Sequence, residues 1–193
     1  MEWFFSIFDK IAASYIWKTL FSHFGWVDWF TAGMIIIGLV YGSQNGMMRE
    51  VVEIMETIVL VFIVLHYYPE LVKMMQLHFN KLPPAATAVF VYILISAAVW
   101  TVIYFIDKHF RKLVKAEAPA LIKVGGGALL GMTHTVILWS FLSQMIVMTP
   151  ARPVRRAYEK GNSVTGHAVL TLAPRIHDFL ADPMKAMGKK KKT

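Results

Sequence analysis

Apolar residues in this chain gather into long runs, and polar residues punctuate those runs rather than alternate with them. The cleanest run, residues 85–106, holds 22 residues without a charge. As a helix rising 1.5 Å per residue it crosses the roughly 30 Å of bilayer hydrocarbon. The uncharged run 29–48 begins in an aromatic belt of Trp26, Trp29 and Phe30, and it predicts a span over residues 27–43. Another span is expected over residues 124–148, which open on Gly125, Gly126 and Gly127; three successive glycines permit either close helix contact or a local break. The remaining run, 57–68, supplies only twelve residues, about 18 Å of helix. A span over 47–65 must therefore draw Glu56 and Glu53, and with them Arg49, into or against the bilayer.

Breaks between the runs carry the expected signals. Ser43, Gln44, Asn45 and Gly46 are turn formers and predict a tight reversal. His66, Tyr67, Tyr68 and Pro69 mark an exit from the bilayer, followed by a short interfacial helix over 71–79. Pro83 and Pro84 suit a helix start, where the missing donor is harmless. Asp107, Lys108, His109, Arg111, Lys112, Lys115 and Glu117 predict a charged connector outside lipid, closed by Pro119.

The flanks differ from the middle. Residues 3–24 place aromatic and aliphatic side chains at three- and four-residue spacings, interrupted by Asp9, Lys10 and Lys18. That pattern predicts an amphipathic helix in the headgroup region, or one packed on a partner. Beyond Thr149 come Pro150, Arg152, Pro153, Arg155 and Arg156, then a short apolar helix over 164–180, then Lys189, Lys190, Lys191 and Lys192. Such a lysine run is drawn to anionic lipid by about 1 kcal/mol per charge. The expected organisation is an interfacial helix (1–25), a four-span membrane domain (26–148) and a basic soluble tail with one short helix (149–193), an all-α polytopic fold.

Composition agrees with a membrane protein: 56% of the 193 residues are hydrophobic and 17% charged, with a mean hydropathy of +0.51. The formal net charge is +8, yet ten of the twenty Lys and Arg follow Pro150, so the excess belongs to a tail and nucleic acid is not an expected partner. Cysteine is absent, excluding disulfides and thiolate chemistry. Glu2 opens the chain without a basic segment, so no cleaved signal peptide is expected. With four spans, the side holding both termini carries fourteen Lys and Arg against six on the other, which favours cytoplasmic termini. Five of those six lie in or beside the short connector after residue 106, a local vote for the opposite orientation.

Candidate chemistry concentrates in two places. Arg49, Glu53 and Glu56 stand at i, i+4 and i+7 and share a helix face, with Glu50 beside them. This intramembrane charge cluster is expected either to line an ion path or lock helices together, or to be a wet helix start with snorkelling side chains. Gly38, Gly42 and Gly46, and likewise Gly127, Gly131 and Thr135, recur every four residues as small-residue stripes for helix packing or oligomer contact. Seven histidines are scattered without metal spacing, and of these His134, on the glycine-bearing side of its span, is expected to make an interhelical hydrogen bond. No catalytic motif, cofactor site or metal site is expected.

Three features together resemble a known family: Trp26, Asp28 and Trp29 near the first span, Gly46-Met47-Met48-Arg49-Glu50 opening the second, and Gly127-Ala128-Leu129-Leu130-Gly131 in the fourth. Over about residues 26–148 the chain resembles the CvpA family, named for colicin V production. The resemblance implies a small bacterial inner-membrane protein of about four spans, without established catalytic activity, linked to toxin production or export and to envelope integrity. By the same resemblance Gly46, Arg49 and Glu50 match the opening of the second span, and Gly127 and Gly131 the motif of the fourth. His134 and Thr135 depart from it, standing where an Arg-Gly pair is usual. The expected role is a scaffold or accessory subunit, in contact with lipid and with other membrane subunits or copies of itself. The rival expectation is a small channel or ion-coupled transport subunit lined by Arg49, Glu53 and Glu56.

Overall fold

The computed structural model describes residues 24–78, 83–110, 120–149, 152–159 and 163–190. Apart from Phe24, the helix expected over 3–24 lies outside them, as do the connector beyond residue 110, Lys191, Lys192 and the side chains of Lys189 and Lys190. The described residues form six helices: α1 (Trp26–Asn45), α2 (Met47–His78), α3 (Pro84–Phe110), α4 (Ala120–Met148), α5 (Arg152–Ala157) and α6 (Gly166–Lys190). The first four include the stretches long and apolar enough to cross a membrane, so the fold is an all-α polytopic one.

Helix α4 is the hub. It packs along α1 most extensively, then against α2, α6 and α3, whereas α1 hardly touches α2 despite the single residue between them. That residue is Gly46, at φ 85° and ψ 160°, a backbone region open essentially only to glycine. The expected four-residue reversal is thus compressed into one position, because Ser43 and Asn45 remain helical. Pro69 does not end α2 either; the helix runs on to His78. Tyr68, Val72 and Met75 pack against the core on both sides of the proline, which holds the helix together across one lost hydrogen bond. The Gly125 to Gly127 triplet lies within continuous helix, so close contact prevails over a break.

Many large apolar side chains face outward, and several polar groups are buried beside an apolar core. Ile36, Val40, Tyr41, Phe90, Leu94 and Phe105 are exposed, while Asp28, Glu50, Thr57, Thr87, Asp107 and Ser140 are buried. Outward apolar side chains and inward polar ones fit a bundle solvated by lipid, where interhelical hydrogen bonds and close packing replace the hydrophobic drive. The apolar core joins Leu60, Val61 and Val64 of α2, Val91 and Tyr92 of α3, Ile137 and Phe141 of α4, and Ala173 of α6. The buried Tyr92 hydroxyl donates to the Phe141 carbonyl at 2.8 Å, and Trp139 Nε1 donates to Thr31 Oγ1 at 3.1 Å.

The C-terminal segment differs from the short helix expected over 164–180. Helix α6 is 25 residues long and lies against α4 and α2, and its start is tied to the start of α1 by Asp28. One carboxylate oxygen of Asp28 accepts from Ser163 Oγ at 2.8 Å, Thr165 N at 2.8 Å and Thr165 Oγ1 at 2.6 Å. The other accepts from Gly25 N at 2.8 Å and Val164 N at 3.3 Å. Ser163 Oγ also accepts from Gly166 N at 2.8 Å, capping the first turn of α6. Nearby, burial raises the pKa of Tyr158, whose hydroxyl donates to Ser143 Oγ at 3.3 Å and whose ring meets Trp26 edge-on.

A proline explains how α6 is held further along. Pro174 has no N–H to give the carbonyl of Leu170, four residues back. Gln144 of α4 supplies the donor instead, through Nε2. One turn earlier on α4, Ser140 donates to the Val169 carbonyl and accepts from Ala173 N, inserting its hydroxyl into the α6 ladder. Gln144→Leu is therefore expected to lower unfolding stability by about 1 kcal/mol, the cost of an orphaned, partly buried carbonyl. Adding Pro174→Ala should recover most of that loss, since the alanine amide can serve Leu170 from within α6. Denaturant or thermal unfolding of the two single variants and the double variant in detergent checks this, and additive losses would refute it.

Candidate functional site

Two faces of α2 meet α4 differently just after the Gly46 break. The fully buried acid is Glu50, at 1% exposure, not the face shared by Arg49, Glu53 and Glu56. Its Oε1 accepts from Asn45 Nδ2, at the end of α1, at 3.0 Å. Its Oε2 is buried and receives no hydrogen bond. Glu53 turns partly toward solvent, and its Oε1 accepts from Arg49 Nε at 2.8 Å. Because the Arg49 side chain is about half exposed, that pair contributes little to stability.

His134 enters from α4 between the two acids. Its Nδ1 stands 3.6 Å from Glu50 Oε2 and 3.5 Å from Glu53 Oε2, beyond ordinary hydrogen-bond reach. In place of the expected interhelical hydrogen bond, the fold gathers a histidine and two carboxylates whose ligand atoms lie within 4.8 Å of one another. Histidine spacing gives no sign of this, because the acids lie on another helix.

A cavity of about 210 Å³ adjoins the cluster between α2, α3 and α4. Glu53, Glu56, Thr57, Asp107 and His134 supply its polar lining, and Leu60, Trp100, Ile103 and Tyr104 the apolar part. This is room for several waters. Asp107 was expected in the solvent-exposed connector, but α3 continues through it and it is 7% exposed.

The glycine stripes hold this geometry, and they do so within one chain. A Cβ on Gly42 would lie 2.1 Å from the Gly127 carbonyl oxygen, and one on Gly131 would lie 2.3 Å from that of Gly38. Gly38 also faces Thr135, while Gly46 meets the Lys123 side chain. Thus α1 and α4 run antiparallel in backbone contact, which sets Asn45 beside Glu50 and leaves the other side of α4 to α2. Asp28, named in sequence only as part of the resemblance near the first span, and Asp107, read there as connector, are the buried acids whose place in the fold was not expected. For Asp28 a faint signal existed, an acid three residues into a helix preceded by glycine.

A helical bundle with four helices long and apolar enough to cross a membrane, apolar side chains facing outward and acids buried within it defines a polytopic membrane protein. The family model described as Colicin V production protein matches residues 27–172. The chain belongs to that family, and the match runs past the fourth span into α6. No curated protein and no solved structure matches the chain.

Proposed function

We propose that the chain is a non-catalytic scaffold or accessory subunit of a bacterial toxin-export or envelope assembly. It sits in the inner membrane with both termini cytoplasmic. The observation that carries this reading is the extent of the family match, which encloses the four spans and the first part of α6 as one unit. Support comes from the interior, where Asp28, Thr31, Tyr92, Ser140 and Gln144 bond between segments of the bundle. Its partners are the bilayer and other membrane subunits or further copies of the chain. Purification in mild detergent after crosslinking in the cell tests this. Co-purifying membrane subunits, or a defined homo-oligomer, are expected; a monomer without partners, from cells whose toxin export and envelope integrity survive its deletion, would overturn the reading.

The acid-lined cavity favours a second reading, an ion-coupled or channel subunit using Arg49, Glu53 and Glu56. Reconstitution of the wild type and of a Glu53→Gln, Glu56→Gln variant in planar bilayers separates the two. An accessory subunit passes no current in either form, whereas a pore carries a cation current that the variant reduces or makes less selective.

A further inference from the structure

We propose that Glu50, Glu53 and His134 form a binding site for a divalent transition-metal ion, of the class of Zn²⁺ or Mn²⁺, inside the membrane domain. The two separations from the histidine suit chelation better than hydrogen bonding, and all three ligand atoms lie within 4.8 Å of one another. Nδ1 of His134 lies 3.6 and 3.5 Å from the two Oε2 atoms, while two ligand atoms about 2.1 Å from a tetrahedral metal stand about 3.4 Å apart. An independent sign is Glu50 itself, whose Oε2 is buried, faces His134 and receives no hydrogen bond. A carboxylate oxygen in that position calls for a neutralising partner.

Both carboxylates are already oriented for the task. Asn45 holds Oε1 of Glu50 and Arg49 holds Oε1 of Glu53, so each acid offers its second oxygen to a common centre, as outer hydrogen bonds do around bound metals. Glu53 and His134 also line the adjoining cavity, through which water can reach a fourth coordination position. One imidazole with two carboxylates suits Zn²⁺, Mn²⁺ or Fe²⁺ over Mg²⁺ and Ca²⁺, which prefer all-oxygen shells. The site does not depend on which of the two functional readings holds.

The test uses the full chain in detergent, stripped with a chelator and titrated with Zn²⁺ and, separately, Mn²⁺ by calorimetry, with bound metal counted by elemental mass spectrometry. One ion per chain is expected. Affinity should fall at least tenfold in His134→Ala and in Glu53→Gln, and stay within twofold in Arg175→Ala, an exposed position on α6. The thermal midpoint of the wild type should rise on adding the metal, and that of folded His134→Ala should not. Absence of stoichiometric binding, or binding unchanged in both His134→Ala and Glu53→Gln, would overturn the proposal.

Discussion

Gly42→Ala is expected to destabilise the membrane domain by about 3 kcal/mol, the upper end of ordinary overpacking, although alanine is the better helix former. The added methyl would sit 2.1 Å from the Gly127 carbonyl oxygen and 2.8 Å from the Gly131 Cα. Both obstacles are backbone, so no side chain can swing aside and the helices must separate. Separation would weaken the Trp139 to Thr31 hydrogen bond and the stacked Phe30 and Trp139 rings further along the same interface. Gly33→Ala is the control: it lies on the same helix with nothing within 4 Å of the new Cβ. There the variant should be neutral or gain up to about 1 kcal/mol from helix propensity. Unfolding in a graded detergent series compares the two, and equal stability would mean that α1 and α4 do not touch through their backbones.

Asp28→Ala should cost on the order of 3 kcal/mol or more, since it strips the acceptor from several donors at once. Three of those donors belong to Ser163 and Thr165, so the loss should appear first as release of the segment leading into α6. Limited proteolysis between residues 149 and 166 is expected to speed up well before the four spans lose their fold. Ser163→Ala should have a smaller effect than Asp28→Ala, because Thr165 N and Oγ1 still hold the carboxylate. If cleavage there is unchanged in Asp28→Ala, the tether is not what holds α6.

How far each feature was legible follows from how locally it is encoded. The span over 85–106 could be read within a few residues of α3 because an apolar helix in lipid satisfies its backbone internally and needs only length. The twelve-residue run after Glu56 pointed to Glu56 and Glu53 as the acids drawn into or against the bilayer, yet the acid of α2 that the fold buries is Glu50, off the face shared by Arg49, Glu53 and Glu56. Periodicity says which residues share a side of α2, not which side meets α4. Pro69 reads as the exit of a span, yet it and Pro174 both lie within helices, one braced by core packing and the other supplied with a donor by Gln144.

The chain's local pattern was enough for an all-helical membrane protein with small-residue stripes and one anomalous acidic stretch, because apolar length and four-residue spacing are properties of a single helix. Only the folded arrangement decided that His134 would stand between Glu50 and Glu53, that Asp107 would line a cavity, and that Asp28 would tie down residues as many as 137 positions away. The physical reason is that such meetings depend on the rotation and depth at which helices pack. Here the backbone contact of α1 with α4 and the turn at Gly46 fix both.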